Sequence, residues 1–325
     1  PLGKLAQSTI NVGFEVLKEI ADLVATSNPS ASRLQDLSSK FYSVIPHSFG
    51  RSVPPVIKTK EVVKMKLEMC QSLGDIAVAQ KILKQVEHTE NPIDAKFKTL
   101  KIEMAPLKKA SKDFKLLQEY VRNTHGATHT QYELEIEEAF EVVRAGEEDR
   151  FAPFEAMENR QLLWHGSALS NYVGILSQGL RIAPPEAPVS GYMFDKGVYF
   201  ADCVSKSANY CRTNRQNSTG VMLLCEVALG EMEEMKQANY HSNSVRSKAG
   251  KMSVKGLGSN APDEKGAKEI KIGVKVPCGK VVAKPVDGGH LLYNEYIVYD
   301  TAQIKMRYAI KMKFNIEVAS NLDSR

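Results

Sequence analysis

Cysteine is scarce in this 325-residue chain and follows no pattern. There are five, an odd number, and none forms a Cys-x-x-Cys pair. That argues against a disulfide framework and against a zinc ribbon, and for reduced thiols in the nucleus or cytosol. No apolar run approaches the roughly 18 residues that a membrane-spanning helix needs, and no signal peptide opens the chain. Neither secretion nor a membrane partner is expected. A Gly-x-Ser-x-Gly elbow is missing, and no base stands out for a Ser-His hydrolase. Internal repeats and low-complexity tracts are absent as well. Charge is nearly balanced at +5, which gives little reason to expect a polyanion partner.

What is present is an ordinary globular composition, 43% hydrophobic and 25% charged, in a chain long enough for one large domain or two smaller ones. Residues 1 to about 88 have helical periodicity. Ser8 or Thr9 is expected to cap a helix carrying Ile10, Phe14, Leu17, Ile20 and Val24. A second helix runs from about Ser30 to Pro46. Thr59 starts a third through Val63, Leu67, Cys70 and Leu73, with a break at Gly74-Asp75 and a fourth helix from Ile76 to Leu83. The polar stretch from Lys84 to Pro92 divides an all-α bundle, 1–90, from an α+β region, 91–325, with mainly antiparallel strands. Strand patterns appear at Tyr132–Ile136, Gly220–Leu229, Tyr293–Val298 and Arg307–Ile316. Residues 231–289 read as long polar loops around short strands.

Some motifs invite over-reading. Gly256-Leu257-Gly258-Ser259-Asn260-Ala261 has the spacing of a dinucleotide-binding turn, but no apolar strand precedes it and Pro262-Asp263-Glu264-Lys265 follows. It is read as a surface loop. His125 and His129 lie at i, i+4 around Gly126, without an acidic third ligand, so no metal is expected. Lys58, Lys60, Lys64 and Lys66 fit a solvated helix face, or alternatively a surface for DNA.

Four short segments carry more. In Leu162-Leu163-Trp164-His165-Gly166-Ser167, His165 alone fits a structural role. Gly166, however, lets a ligand approach the backbone, and its N–H and C=O match a carboxamide. In Ser205-Lys206-Ser207-Ala208-Asn209-Tyr210, Tyr210 follows Ser207 by one helical turn, so a flat ring could stack on it while Ser207 bonds the ring's amide. Nicotinamide has that shape. Lys206 belongs at the mouth of such a slot, or in solvent. Tyr199, in Gly197-Val198-Tyr199-Phe200-Ala201-Asp202, is a packing residue or a second wall. Glu295 sits in an apolar, aromatic run, Leu291 to Tyr299, where a charge is costly unless paired or used. It either faces solvent on an edge strand or grips a ribose hydroxyl, opposing positive charge as a C–N bond breaks and taking a proton from an acceptor.

Together with Leu180-Arg181-Ile182-Ala183-Pro184-Pro185-Glu186-Ala187-Pro188 and Gly191-Tyr192-Met193-Phe194, these segments resemble the poly(ADP-ribose) polymerases of the DNA-dependent type, over nearly the whole chain. The resemblance implies a helical regulatory domain followed by an α+β ADP-ribosyltransferase domain that cleaves NAD+, its substrate, and builds ADP-ribose chains on protein acceptors, itself included. It implies that Gly166 and Ser207 hold the carboxamide, Tyr210 and Tyr199 enclose the ring, and His165, Ser167 and Arg181 contact the adenosine half. Tyr192 also falls on the NAD+ side. Glu295 would be the catalytic carboxylate, grouped with His165 and Tyr199 as the catalytic His-Tyr-Glu signature, with Lys206, Met193 and Tyr293 at the acceptor site and residues 183–195 looping over the donor pocket. Nuclear localisation, a DNA-damage role and a helical gate over the donor site follow from the same likeness. Because the chain opens at Pro1, the first regulatory helices and the DNA-sensing modules are expected to lie outside it. Alternatives are a silent NAD+- or ADP-ribose-binding module, a mono-ADP-ribosyltransferase, and a DNA-binding scaffold. Two departures stand out. The tail Asn321-Leu322-Asp323-Ser324-Arg325 lacks the Leu-Trp ending of well-known members, and Asp195 stands where many relatives carry Gly.

Overall fold

A computed structural model describes residues 5–84, 91–271 and 273–316. Most of the expected dividing stretch (85–90), the opening residues 1–4 and the C-terminal tail lie outside those described. In chain order the helices are α1 (Gln7–Val24), α2 (Ala31–Val44), α3 (Lys60–Lys84), α4 (Pro92–Thr99), α5 (Lys112–Asn123), α6 (Glu147–Phe151), α7 (Tyr172–Gln178), α8 (Val204–Ala208) and α9 (Ser242–Lys248). The strands are β1 (Ile102–Pro106), β2 (Tyr132–Arg144), β3 (Arg160–Gly166), β4 (Val198–Phe200), β5 (Thr219–Ala228), β6 (Met232–Met235) and β7 (Ser253–Gly256), then β8 (Gly258–Pro262), β9 (Lys268–Lys271), β10 (Val274–Val276), β11 (Val281–Ala283), β12 (Leu291–Tyr293), β13 (Glu295–Val298) and β14 (Ile304–Ile316). They fall into two compact units. One comprises residues 1–100, 170–197 and 239–243; the other holds the rest. No described helix is long and apolar enough to cross a membrane.

The first unit is helical. Ile10, Phe14, Leu17 and Ile20 of α1 meet Leu34, Leu37 and Phe41 of α2 and Val63, Leu67 and Leu73 of α3 in one core. Ser30 caps α2 by accepting from the Arg33 amide at 3.3 Å. The helix stops before Pro46, whose ring forces the residue ahead of it out of helical geometry. Two expectations need correction. α1 starts at Gln7 with Ala6 as a cap that makes no side-chain bond, so Ser8 and Thr9 lie inside the helix. The break at Gly74 does not occur, and α3 runs on to Lys84. A lone interior glycine costs only about 1 kcal/mol against alanine, and the helix-forming residues and buried face on either side outweigh it.

The second unit is built on a seven-stranded sheet, β1-β2-β14-β5-β3-β10-β9, with smaller sheets β11-β8-β12 and β4-β13-β7-β6. Only β3–β10, β8–β12 and β6–β7 pair in parallel among the described strands, so the α+β, mainly antiparallel architecture holds. Helix α5 lays Phe114, Leu117 and Tyr120 on the large sheet, against Trp164, Leu224, Ile310 and Phe314. The segment Gly256–Ala261 is not a loop. It forms the end of β7 and most of β8. Its polar flanks suit strands of small sheets, and Gly258 is where another backbone passes: a Cβ there would lie 2.2 Å from the Tyr293 carbonyl carbon.

Candidate active site

Strand β3 ends with one edge open. Trp164 exchanges both backbone bonds with Ala201, at 2.9 and 3.0 Å. Backbone groups of alternate residues point to the same edge, so Gly166 turns its own N–H and C=O to the side where, among the described residues, no strand continues. The other edge is covered by β5. A Cβ on residue 166 would lie 1.9 Å from the Ser207 carbonyl oxygen, so only glycine fits. The buried Ser207 hydroxyl donates to the Trp164 carbonyl at 2.9 Å, beside that open edge. His165 Nδ1 donates to the Tyr199 carbonyl at 2.9 Å, which leaves Nε2 as an acceptor. Burial lowers the pKa of His165 and so favours that neutral form. The Ser167 amide faces the Cys211 sulfur.

The register of the four-stranded sheet sets the acid on the same face as Tyr199. Ile297 pairs with Tyr199 and Tyr296 with Phe200. Cross-strand partners share a face and side chains alternate along a strand. Tyr199, Ile297 and Glu295 therefore lie on one face, with Tyr296 and Phe200 on the other. Glu295 Oε1 is paired with Lys206 Nζ at 2.9 Å, in surroundings that leave their side chains 14% and 16% exposed. Lys206 also donates to the Tyr293 carbonyl at 2.7 Å. Oε2 of Glu295 is buried and has no hydrogen-bond partner among the described residues.

Tyr210 is not on the same helix as Ser207. Helix α8 ends at Ala208, and Tyr210 rides the 3₁₀ turn that follows, the residue as a whole 42% exposed. Its hydroxyl pKa is pushed up to about 12, first by burial and then by the nearby charge of Glu295. Tyr293 is buried and fixed by a loop: its hydroxyl lies 2.9 Å from Thr128 Oγ1 and its ring tilts on His129, centroids 5.1 Å apart. His129 Nδ1 meets Ser205 Oγ at 2.7 Å, and the same oxygen accepts from the Gly126 amide at 2.7 Å. The 124–129 loop thus braces the segment that carries Lys206 and Ser207.

Arg181, Tyr192 and Met193 belong to the helical unit. Arg181 pairs with Asp75 of α3, Tyr192 accepts from Gln71 of α3, and the Met193 carbonyl accepts from the Asn239 amide at 2.9 Å. The sequence reading gave no role to Thr128, Ser205 and Asp202, and weighed His129 only as a metal ligand. For Asp202 the signal is legible: it is an acid within an otherwise apolar run, Val198 to Val204, and the burial cost that draws attention to Glu295 applies equally to it. Among the described residues no three His, Cys, Asp or Glu side chains converge as a metal-holding group.

Comparison with known proteins gives the family of the chain. A family model described as "Poly(ADP-ribose) polymerase catalytic domain" matches residues 111–314, and one described as "Poly(ADP-ribose) polymerase, regulatory domain" matches residues 1–97. The zebrafish (Danio rerio) protein "Poly [ADP-ribose] polymerase 1" is 48% identical over 98% of this chain and 31% of its own length. "Poly [ADP-ribose] polymerase 2" of Arabidopsis thaliana is 48% identical over 97% of this chain and 49% of its own length. "Poly [ADP-ribose] polymerase 2-A" of Oryza sativa subsp. japonica is 48% identical over 98% of the chain and 48% of its own length. The chain spans about a third to a half of these relatives. A catalytic-domain match that takes in His165 through Glu295, joined to a regulatory-domain match over the helices before it, means that this chain belongs to the poly(ADP-ribose) polymerase family.

Proposed function

We propose that the chain is the catalytic part of a nuclear, NAD+-dependent protein ADP-ribosyltransferase of the polymerising type, acting in the DNA-damage response. The observation that carries the chemistry is Glu295: one carboxylate oxygen is anchored by Lys206 and the other is buried without a partner among the described residues, on the face that Tyr199 shares. An unmet buried acceptor costs about 1–3 kcal/mol, which a ribose hydroxyl would recover by donating to it. In this reading the open edge at Gly166 pairs with the nicotinamide carboxamide, and Ser207 adds a hydroxyl. Tyr210 stacks on the ring, and Tyr199 closes its other side. The unprotonated Nε2 of His165 accepts from the adenosine-side ribose, with Ser167 beside it.

The reaction then follows from charge. As the bond between ribose C1′ and the nicotinamide nitrogen breaks, nicotinamide leaves neutral and positive charge builds on the sugar, where the Glu295 carboxylate opposes it. An acceptor oxygen forms the new bond to C1′ and gives up its proton to Glu295 or to solvent. A protein side chain as acceptor gives initiation; a hydroxyl of ADP-ribose already attached gives elongation. Lys206 and Tyr293 are assigned to the acceptor side. The roles of Arg181, Tyr192 and Met193, like nuclear localisation, automodification and control by DNA through other modules, rest on the family likeness alone.

The test is incubation of the protein with labelled NAD+, resolved by gel. A ladder of labelled species is expected. One sharp band means single transfer, and no label with intact NAD+ binding means a silent module; either result overturns the polymerising assignment.

A further inference from the structure

The chain changes sheets right beside its acid. Strand β12 ends at Tyr293 in the three-stranded sheet and β13 begins at Glu295 in the four-stranded one, so Asn294 alone makes the corner. Where Glu295 stands relative to Tyr199 depends on how that corner is held. Alternation turns the side chains of Asn294 and Tyr296 to the face opposite Glu295. There both donate to a single atom. Asp202 Oδ2 accepts from Asn294 Nδ2 at 2.8 Å and from the Tyr296 hydroxyl at 3.0 Å. The orientation of the Asn294 amide is fixed, because its Oδ1 accepts from the Gly258 N–H at 2.9 Å. Asp202, Asn294 and Tyr296 are 2%, 4% and 3% exposed, so these bonds are made in largely buried surroundings, where they are electrostatically stronger than at the surface.

Packing alone does not hold the corner. A cavity of about 200 Å³ borders all three side chains, and Glu295 takes no part in its wall. Close packing fixes a segment by filling the space around it; with open volume on this side, the hydrogen bonds set the position. Asp202 is also well placed in the chain. It follows β4, which carries Tyr199, and precedes α8, which carries Lys206 and Ser207. One carboxylate therefore ties the donor-pocket segment to the strand of the acid.

We propose that Asp202 is a positioning residue for the transfer reaction: by holding both sequence neighbours of Glu295 from the far face of the sheet, it fixes the Glu295 carboxylate against the donor ribose. The inference rests on the function proposed above. Asp202 touches no substrate; it acts through Glu295. Displacing a reacting group by about an ångström can cost on the order of a hundredfold in rate.

The test is nicotinamide release, measured as kcat and KM for NAD+. Asp202→Ala is expected to lower kcat by about ten- to a hundredfold with KM within about twofold, since Gly166, Ser207 and Tyr210 are untouched. Asp202→Asn is expected to recover kcat to within about threefold of wild type, because its side-chain oxygen can accept both bonds. In a Glu295→Gln background Asp202→Ala should cost nothing further, since a residue that works through another loses its effect when that one is disabled. Should Asp202→Ala fail to fold, Tyr296→Phe, which deletes one bond and keeps the ring, carries the same pair of measurements with an expected loss of about threefold or more. An equal loss in both backgrounds, or a raised KM with unchanged kcat, overturns the inference alone. A wild type that releases no nicotinamide overturns the proposed function and this inference with it.

Discussion

Replacing Glu295 by Gln isolates the charge from the shape. The Gln side chain occupies the same volume, and Lys206 keeps its bond to the Tyr293 carbonyl at 2.7 Å, so the site should stay assembled. What is lost is a unit negative charge beside the sugar. Two unit charges about 4 Å apart interact by about 4 kcal/mol at an effective dielectric near 20. At about 1.36 kcal/mol per tenfold change in rate, the upper limit is about a thousandfold. Lys206, 2.9 Å from Oε1, offsets part of the field, and the charge on the sugar is only partly developed at the transition state. The expectation is therefore a fall in kcat of about a hundredfold, at the lower end of the range for deleting one preorganised electrostatic group. The KM for NAD+ should rise by less than kcat falls, because most ground-state binding falls to Gly166, Ser207 and Tyr210 and the Gln amide can still bond the ribose hydroxyl. The assay is nicotinamide release at saturating NAD+, with melting temperature as the check on folding. A folded Glu295→Gln protein whose kcat is within tenfold of wild type would refute the reasoning, as would one that changes only KM.

Two further outcomes are expected. Gly166→Ala should lose NAD+ binding and lower the melting temperature by several degrees, because the new Cβ would lie 1.9 Å from the Ser207 carbonyl oxygen and backbone cannot yield as a side chain does; calorimetric titration with NAD+ and a thermal melt check both. The acidic limb of kcat/KM should lie below pH of about 6.5, the ordinary histidine value, because burial lowers the pKa of His165 and Nε2 accepts a hydrogen bond only while unprotonated. The sign is that of a depressed histidine: the neutral form holds above the ordinary value and is lost as pH falls through the folded-state one. An acidic limb above pH of about 7 would contradict the assignment.

Local periodicity made much of the fold legible. Ile10, Phe14, Leu17 and Ile20 recur at helical spacing and lie in the helical core; Tyr308, Ile310, Met312 and Phe314 alternate and lie against α5. Pairing was not legible. Nothing in Gly256–Ala261 says that β8 meets β11 and β12, or that residues 170–197 pack with the helices, since such contacts are set by complementary surfaces far apart in sequence. The proposed site was partly legible, because glycine and charge stand out where they are expensive: Gly166 at a strand end, Glu295 in an aromatic run. The structure brings those two into one unit with His165, Tyr199, Lys206, Ser207 and Tyr210. The residues bracing them were harder to see. Thr128 and Ser205 are ordinary polar side chains whose partners lie far along the chain, and only the folded structure shows what they hold.

Asp195 tests the same logic in a loop. Its φ of +59° is left-handed, a conformation that costs a residue with a Cβ about 1–2 kcal/mol and costs glycine nothing. Glycine is the residue this backbone favours, which fits the expectation that relatives carry glycine here. Aspartate is tolerated because its Oδ1 accepts from the Lys196 amide at 2.8 Å, a local bond that offsets the strain. Lys196 in turn donates to the carbonyls of Pro184 and Pro185, both at 2.9 Å, so the turn at 195 sets the closure of the whole loop. Asp195→Ala keeps the strain and loses the bond, and should destabilise by about 1–2 kcal/mol, or about 2–4 °C per kcal/mol in a thermal melt. Asp195→Gly loses the bond and the strain together while adding freedom to the unfolded chain, and should stay within about 0.5 kcal/mol of wild type. Asp195→Asn should match wild type. The ranking is what matters, for it separates backbone strain from side-chain contact: if Asp195→Ala melts as high as Asp195→Gly, the left-handed turn is not what this position is selected to make.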